Sequence, residues 1–158
     1  METQQLFVKM ALGAWDLQIG RIEKMFSSFT DEQLLQEIAP GKNRVIYLLG
    51  HLIAYHDMLA ETMGIGSRAY QHLDEAFLKN ADKAGLDMPD AAYLRNAWTD
   101  VHQKLATLFG QLSPADWFKK HNAVSEDDFA KDPTRNRLNM VINRAGHVAY
   151  HAGQIKLA

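Results

Sequence analysis

Residues 44–59, RVIYLLGHLIAYHDML, and residues 143–155, NRAGHVAYHAGQI, decide how the rest of the chain is read. At about 100° per residue, the first stretch is apolar over almost its whole circumference. Leu49, Leu52, Ile53 and Leu59 cover one side, and Tyr47, Leu48, Ala54, Tyr55 and Met58 cover another. Only Gly50, Asp57 and Glu61 leave a narrow polar strip. A helix this apolar must be covered by a bundle on one side and by a subunit or a long loop on the other. His51 lies within the second apolar group, so its imidazole needs partners for its nitrogens once buried. A metal ion is one such partner; a backbone carbonyl or a tyrosine is the commoner one. In the second stretch His147 and His151 stand four residues apart, on one helical face, where two rings can chelate a single ion. That face also holds Asn143, Arg144, Tyr150 and Gln154. Leu138, Ile142, Ala145, Ala149 and Ala152 lie opposite, with Gly146 and Gly153 at the edge, where small residues permit close approach by another helix. The bland alternative makes the histidine face a solvent face. Val148 follows His147 where the zinc-protease helix carries Glu, so that protease chemistry is excluded.

Outward from these stretches the helical period recurs. A first long helix is predicted from about Gln5 to Phe26. Thr30 with Gln33 fits a capping box for a short helix that stops near Pro40-Gly41. The second long helix runs from Arg44 to Met63 and is closed by Gly64 and Gly66. Residues 67–90 suggest one short helix followed by a loop. Pro89 suits the first turn of a third long helix ending near Gly110, whose stripe is Leu94, Trp98, Val101, Leu105, Leu108 and Leu112. Ser113-Pro114 caps a short turn through Trp117 and Phe118. Lys119 to Pro133 is polar and without period, hence a loop, and the last helix runs from about Thr134 almost to the end. No strand alternation, repeat or linker is present. The expected fold is all-α: an up-down-type four-helix bundle with short accessory helices, in a single domain over residues 1–158.

Composition narrows the function. The chain has 158 residues, enough to bury a core without a staple, with 47% hydrophobic and 23% charged residues. Seventeen Lys and Arg stand against 19 Asp and Glu, a formal charge of −2, so no basic excess exists to bind a nucleic-acid backbone. No apolar run approaches the roughly 20 residues that span a bilayer, and no signal-peptide core opens the sequence; the expectation is a cytoplasmic protein. The absence of cysteine removes disulfides, thiolate nucleophiles and every cysteine-based metal site. Seven histidines remain as ligands.

His51, His147 and His151 form a plausible set for one divalent ion, with a position left open for water. Zinc, nickel and iron all accept imidazole. Asn143, Tyr55 and Tyr47 are within reach by helical phase as groups that orient the rings. His56 lies about 140° around the helix from His51 and cannot join the same ion. His102, His72 and His121 are read as boundary or accessory residues, the charged Glu126-Asp127-Asp128 as solvated, and Trp15, Trp98 and Trp117 as core.

Both quoted stretches, with the upstream TDEQLLQEIAPGKNRVIYLLGHL at residues 30–52, resemble the DinB-like (YfiT-like) superfamily of metal-binding four-helix bundles. The resemblance covers most of the chain and is weakest at 67–89 and 119–133. It implies a divalent ion, zinc or nickel before iron, held by His51 after Leu49-Gly50 and by His147 and His151, and it implies a homodimer. It also implies a thiol transferase acting on a small molecule with a low-molecular-weight thiol as cosubstrate; a metal-dependent hydrolase and a non-catalytic, stress-related metal-binding dimer are the alternatives. Mycothiol-dependent isomerases of this family carry a further C-terminal domain. With seven residues after His151, a simpler transferase or hydrolase is expected here. No general base is assigned. Arg144 is the best residue for steering an anion, or else a surface partner of Asp57 or Glu61.

Overall fold

A computed structural model describes residues 2–158 and is all-helical. Helix α1 spans Thr3–Ser28, α2 Asp31–Leu34, α3 Val45–Thr62, α4 Ala91–Gly110, α5 Glu126–Lys131 and α6 Arg137–Ile155. Short 3-10 turns occupy Gln71–Leu73 and Pro114–Phe118, and a π turn occupies Glu75–Lys79.

Local chemistry sets the boundaries. Thr30 and Gln33 form the expected capping box, with bonds of 3.2 and 2.8 Å. Gly64, at φ +68°, takes the left-handed conformation just beyond α3. Pro89 lies just ahead of α4 instead of in its first turn, and Asp90 caps the helix by accepting from the Tyr93 amide at 2.8 Å. Asn136 caps α6, because the Asp132 carboxylate holds the amide and hydroxyl of Thr134 in a turn ahead of it. One expected loop is in part a helix. Ser125 caps α5, with Glu126, Asp127 and Asp128 in its first turn and Lys131 in its last, matching the helix dipole. Because α5 buries no residue, it carries no apolar period to read.

The pairing of side chains gives the helix directions. Trp15 meets Phe109 and Phe26 meets Trp98, so α1 and α4 are antiparallel. His56 lies beside His102, and Gly66 just beyond α3 approaches Leu108, so α3 and α4 run parallel. His51 meets His151 while Tyr55 meets His147, so α3 and α6 are antiparallel. The bundle is thus up, down, down, up. Parallel neighbours cannot be joined by a tight turn, and residues 63–90 return along the bundle to make the connection.

This crossover covers the outer side of α3, the long-loop alternative for so apolar a helix. Leu73 and Phe77 are buried against it. Asp57 anchors the start of the crossover: it is 3% exposed and accepts from the Ala69 and Tyr70 amides at 2.8 and 2.9 Å and from Arg68 at 3.2 Å. Asp82 anchors its end through the Arg44 amide and guanidinium, at 2.7 and 2.6 Å. Asp57 therefore leaves the expected solvent strip, and so does Gly50, which lies beneath the Phe77 ring. Only Glu61 stays exposed.

Gly50 has no room for a side chain. An added Cβ would stand 2.2–2.5 Å from three carbons of Phe77. Gly50→Ala should therefore destabilise the chain by about 1–3 kcal/mol in chemical denaturation, the usual range for overpacking. Adding Phe77→Leu should recover part of that loss. An unchanged midpoint for the single variant would show that Phe77 can move aside freely.

Candidate metal centre

The centre is built where α3 and α6 cross. His51 projects from the second turn of α3, and His147 and His151 stand one turn apart on α6. His151 is 8% exposed, and the other two are half-buried. The solvent-face reading of the α6 histidines is therefore overturned. The buried side of α6 is Leu138, Val141, Ala145, Val148 and Ile155, and the two rings lie along its edge.

The three Nε2 atoms converge. His147 Nε2 is 3.4 Å from His51 Nε2 and 2.9 Å from His151 Nε2. All three donor atoms lie within 4.8 Å of one another. Zn–N bonds of about 2.1 Å in a tetrahedron place neighbouring nitrogens about 3.4 Å apart, so the spacing fits a divalent ion after small adjustment. Among the described residues, no Asp or Glu joins the group.

The opposite ring nitrogens set the tautomers. His51 Nδ1–H donates to the Phe77 carbonyl at 2.8 Å. His151 Nδ1–H donates to Gln154 Oε1 at 2.7 Å, and the Gln154 amide donates to the Tyr150 hydroxyl at 3.1 Å. Both rings therefore turn a bare Nε2 lone pair toward His147. A single proton on His147 Nε2 can satisfy one of them; a cation satisfies all three nitrogens. Burial pushes the His147 imidazole down to about 3, helped by His151, His51 and Arg144. Burial also lowers His51 and His151, against the opposing effects of their Phe77 and Gln154 bonds. Neutral imidazole is the form that binds a metal.

Aromatic groups wall the site. The Tyr47 ring stacks on His51 with centroids 6.1 Å apart, while its hydroxyl donates to the Asn80 carbonyl at 2.8 Å. Tyr55 stands edge-on to His51 and His147, at 4.8 and 5.0 Å. The Arg144 guanidinium lies 4.6 Å above the Tyr55 ring. Arg144 pairs with neither Asp57 nor Glu61, since Asp57 is taken by Arg68. Asn143 is exposed and orients none of the three rings.

The sequence reading missed a second histidine cluster. His56 Nδ1–H donates to His102 Nε2 at 3.0 Å, and His102 Nδ1–H donates to the Trp98 carbonyl at 2.7 Å. Trp15 and Trp98 pack against this pair. Burial holds His102 down to about 4 and His56 well below the ordinary range. The signal lay in His56, a polar residue on the other apolar side of α3. His72 bonds to the Tyr93 hydroxyl, and His121 accepts from the Ala123 amide; neither approaches the triad.

A helical bundle with three convergent histidines, able to hold a metal ion, is the class that fold and site define. The DinB superfamily model matches residues 14–155, and the chain belongs to that superfamily. No curated protein matches the sequence. Among the described residues, no helix is long and apolar enough to cross a membrane.

Chelator-stripped protein should take up one equivalent of zinc or nickel, and His151→Ala should abolish tight uptake. Gln154→Leu leaves the ligands but removes the acceptor that fixes the His151 ring, and should weaken affinity about 10–100-fold by calorimetry. Full affinity in Gln154→Leu would show that the tautomer is set elsewhere.

Proposed function

We propose that His51, His147 and His151 hold one divalent ion, zinc or nickel before iron, in a transferase that joins a low-molecular-weight thiol to a small electrophile. The supporting observation is the convergence of three neutral ring nitrogens, joined by no further His, Asp or Glu among the described residues. When bound, the ion supplies Lewis acidity at the position that three ligands leave open. The chain's own residues hold and orient it: Phe77 and Gln154 fix the tautomers, and Tyr47 and Tyr55 wall the rings.

The absence of a carboxylate near the triad favours a thiol over water as the nucleophile. A thiol ionises near pKa 8.5 and water near about 15.7, so water needs more help from a base. The nearest other imidazoles, His56 and His102, are committed to each other within the core. Because the chain has no cysteine, the thiol must arrive as cosubstrate.

Metal-loaded protein incubated with electrophiles should turn over only when a low-molecular-weight thiol is added, and His151→Ala should lose that turnover. Thiol-independent hydrolysis would select the hydrolase instead. No turnover of any kind would select a non-catalytic metal protein.

We also propose a homodimer formed through α1 and α6. Leu6, Met10 and Leu17 are exposed along α1, with Gly13 between them and the half-buried Gly20 one turn beyond. Ile142, Gly146, Ala149 and Gly153 form a matching exposed stripe on α6. These small residues allow a second copy's helices to approach closely, in two-fold fashion. Light scattering at micromolar concentration should give twice the chain mass, and Ala149→Arg should halve it; a monomeric parent would reject the dimer.

A further inference from the structure

Arg144 is an arginine without a carboxylate. It makes no hydrogen bond or ion pair with any described residue, although ten ion pairs form elsewhere on the molecule. Burial disfavours its charge, with only the Tyr55 phenol acting to favour it. A guanidinium does not lose its proton in a protein, so the charge remains and is poorly compensated. The Tyr55 ring holds it in place, 4.6 Å away. The same ring touches His51 and His147 on the way to the metal centre. Tyr55 is half-buried, and its hydroxyl bonds to no other described residue. Arg144 stands three residues before His147, a rise of about 4.5 Å along α6. The guanidinium is thus one aromatic ring removed from two of the three convergent imidazoles.

We propose that Arg144 and Tyr55 form an anion subsite of the metal centre, so that its small-molecule ligand carries a carboxylate about one helical turn from the group presented to the ion. This rests on the metal-centre reading above and names the ligand class it accepts. A carboxylate matches the planar guanidinium fork and can take a further bond from the Tyr55 hydroxyl. The spacing selects short molecules, with two or three carbons between the carboxylate and the metal-seeking group.

The test uses the full-length protein loaded with cobalt(II) and freed of excess ion, with uptake measured before any probe is added. The probes are 3-mercaptopropionate and its methyl ester, read by the cobalt absorption spectrum. The parent should bind the acid roughly 10–100-fold more tightly than the ester, the range expected for a charge-assisted bond. Arg144→Gln should keep one equivalent of cobalt and the ester affinity but lose the preference for the acid. Arg144→Lys should retain part of it. Equal affinities in the parent, or a preference that survives in Arg144→Gln, overturns the subsite while leaving the metal centre standing. A preference unchanged while Arg144→Gln converts a dimer to single chains makes Arg144 an interface residue and also overturns it. If the parent takes up no cobalt, the centre itself falls, and the subsite with it.

Discussion

The hydrogen bond from His51 Nδ1 to the Phe77 carbonyl is the constraint on which the rest of the site depends. It sets which nitrogen of His51 faces α6, and it requires Phe77 to lie flat against α3. The ring of Phe77 can do so only because Gly50 has no side chain. The residue before His51 in sequence is thus selected by the residue that orients His51 in space. The π turn at Glu75–Lys79 occurs at this point of the crossover, as such turns often do beside functional groups. The crossover in turn exists because α3 and α4 run parallel. A tight α3–α4 turn would leave α3 uncovered and His51 without its acceptor. Asp57 and Asp82 clamp the two ends of the segment, so the Phe77 carbonyl is delivered by a fixed strap. Topology, covering of an apolar helix and ligand orientation are one arrangement.

The same arrangement fixes the sign of the field at the centre. All three donors are neutral, among the described residues no carboxylate joins them, and the Arg144 guanidinium stands beside the Tyr55 ring that touches two of them. A divalent ion there would keep its full charge, whereas thiolate or carboxylate ligands would neutralise part of it. Such a centre draws anions and nucleophiles that ionise on approach. It draws cations poorly. The electrostatics thus argue for the same class of chemistry as the missing cysteine and the missing general base.

Three of the long helices were legible from an apolar face at a 3.6-residue period and α3 from apolar residues almost all round, and the caps at Thr30 and Ser113 were legible from side chains that compete for backbone amides. The spacing of His147 with His151 and a histidine on the apolar α3 made the triad one candidate among blander readings, and the resemblance to the DinB-like superfamily singled it out. The rest was not visible for definite reasons. Helix α5 buries nothing, so it leaves no period. The burial of Asp57 and the fit of Phe77 over Gly50 depend on a crossover whose path is set by helix direction, and direction is not encoded in any single helix. The phase of α6 was misread because its true buried side, with Val141 and Val148, differs by a fraction of a turn from the Ala/Gly stripe that the sequence makes conspicuous. That stripe is exposed at Ile142, Gly146, Ala149 and Gly153.

The two histidine clusters on α3 show why proton counting, more than proximity, separates a ligand site from a core contact. A neutral imidazole carries one N–H. In the His56–His102 pair both protons are spent in series, one on the Trp98 carbonyl and one on His102, and only His56 Nε2 is left bare. That arrangement is consistent without any ion. In the triad, two of the three protons are drawn outward by Phe77 and Gln154. His147 has one left. Placed on Nε2, it serves one of two facing lone pairs; placed on Nδ1, it meets a buried position with no acceptor and leaves three lone pairs converging. No distribution of protons among neutral rings satisfies this cluster, and burial opposes adding another. A cation at the common focus removes the conflict. The His56–His102 pair, on another side of α3 and more deeply buried, has no such need, which is why closely spaced histidines can serve the core on one side of α3 and hold an ion on the other.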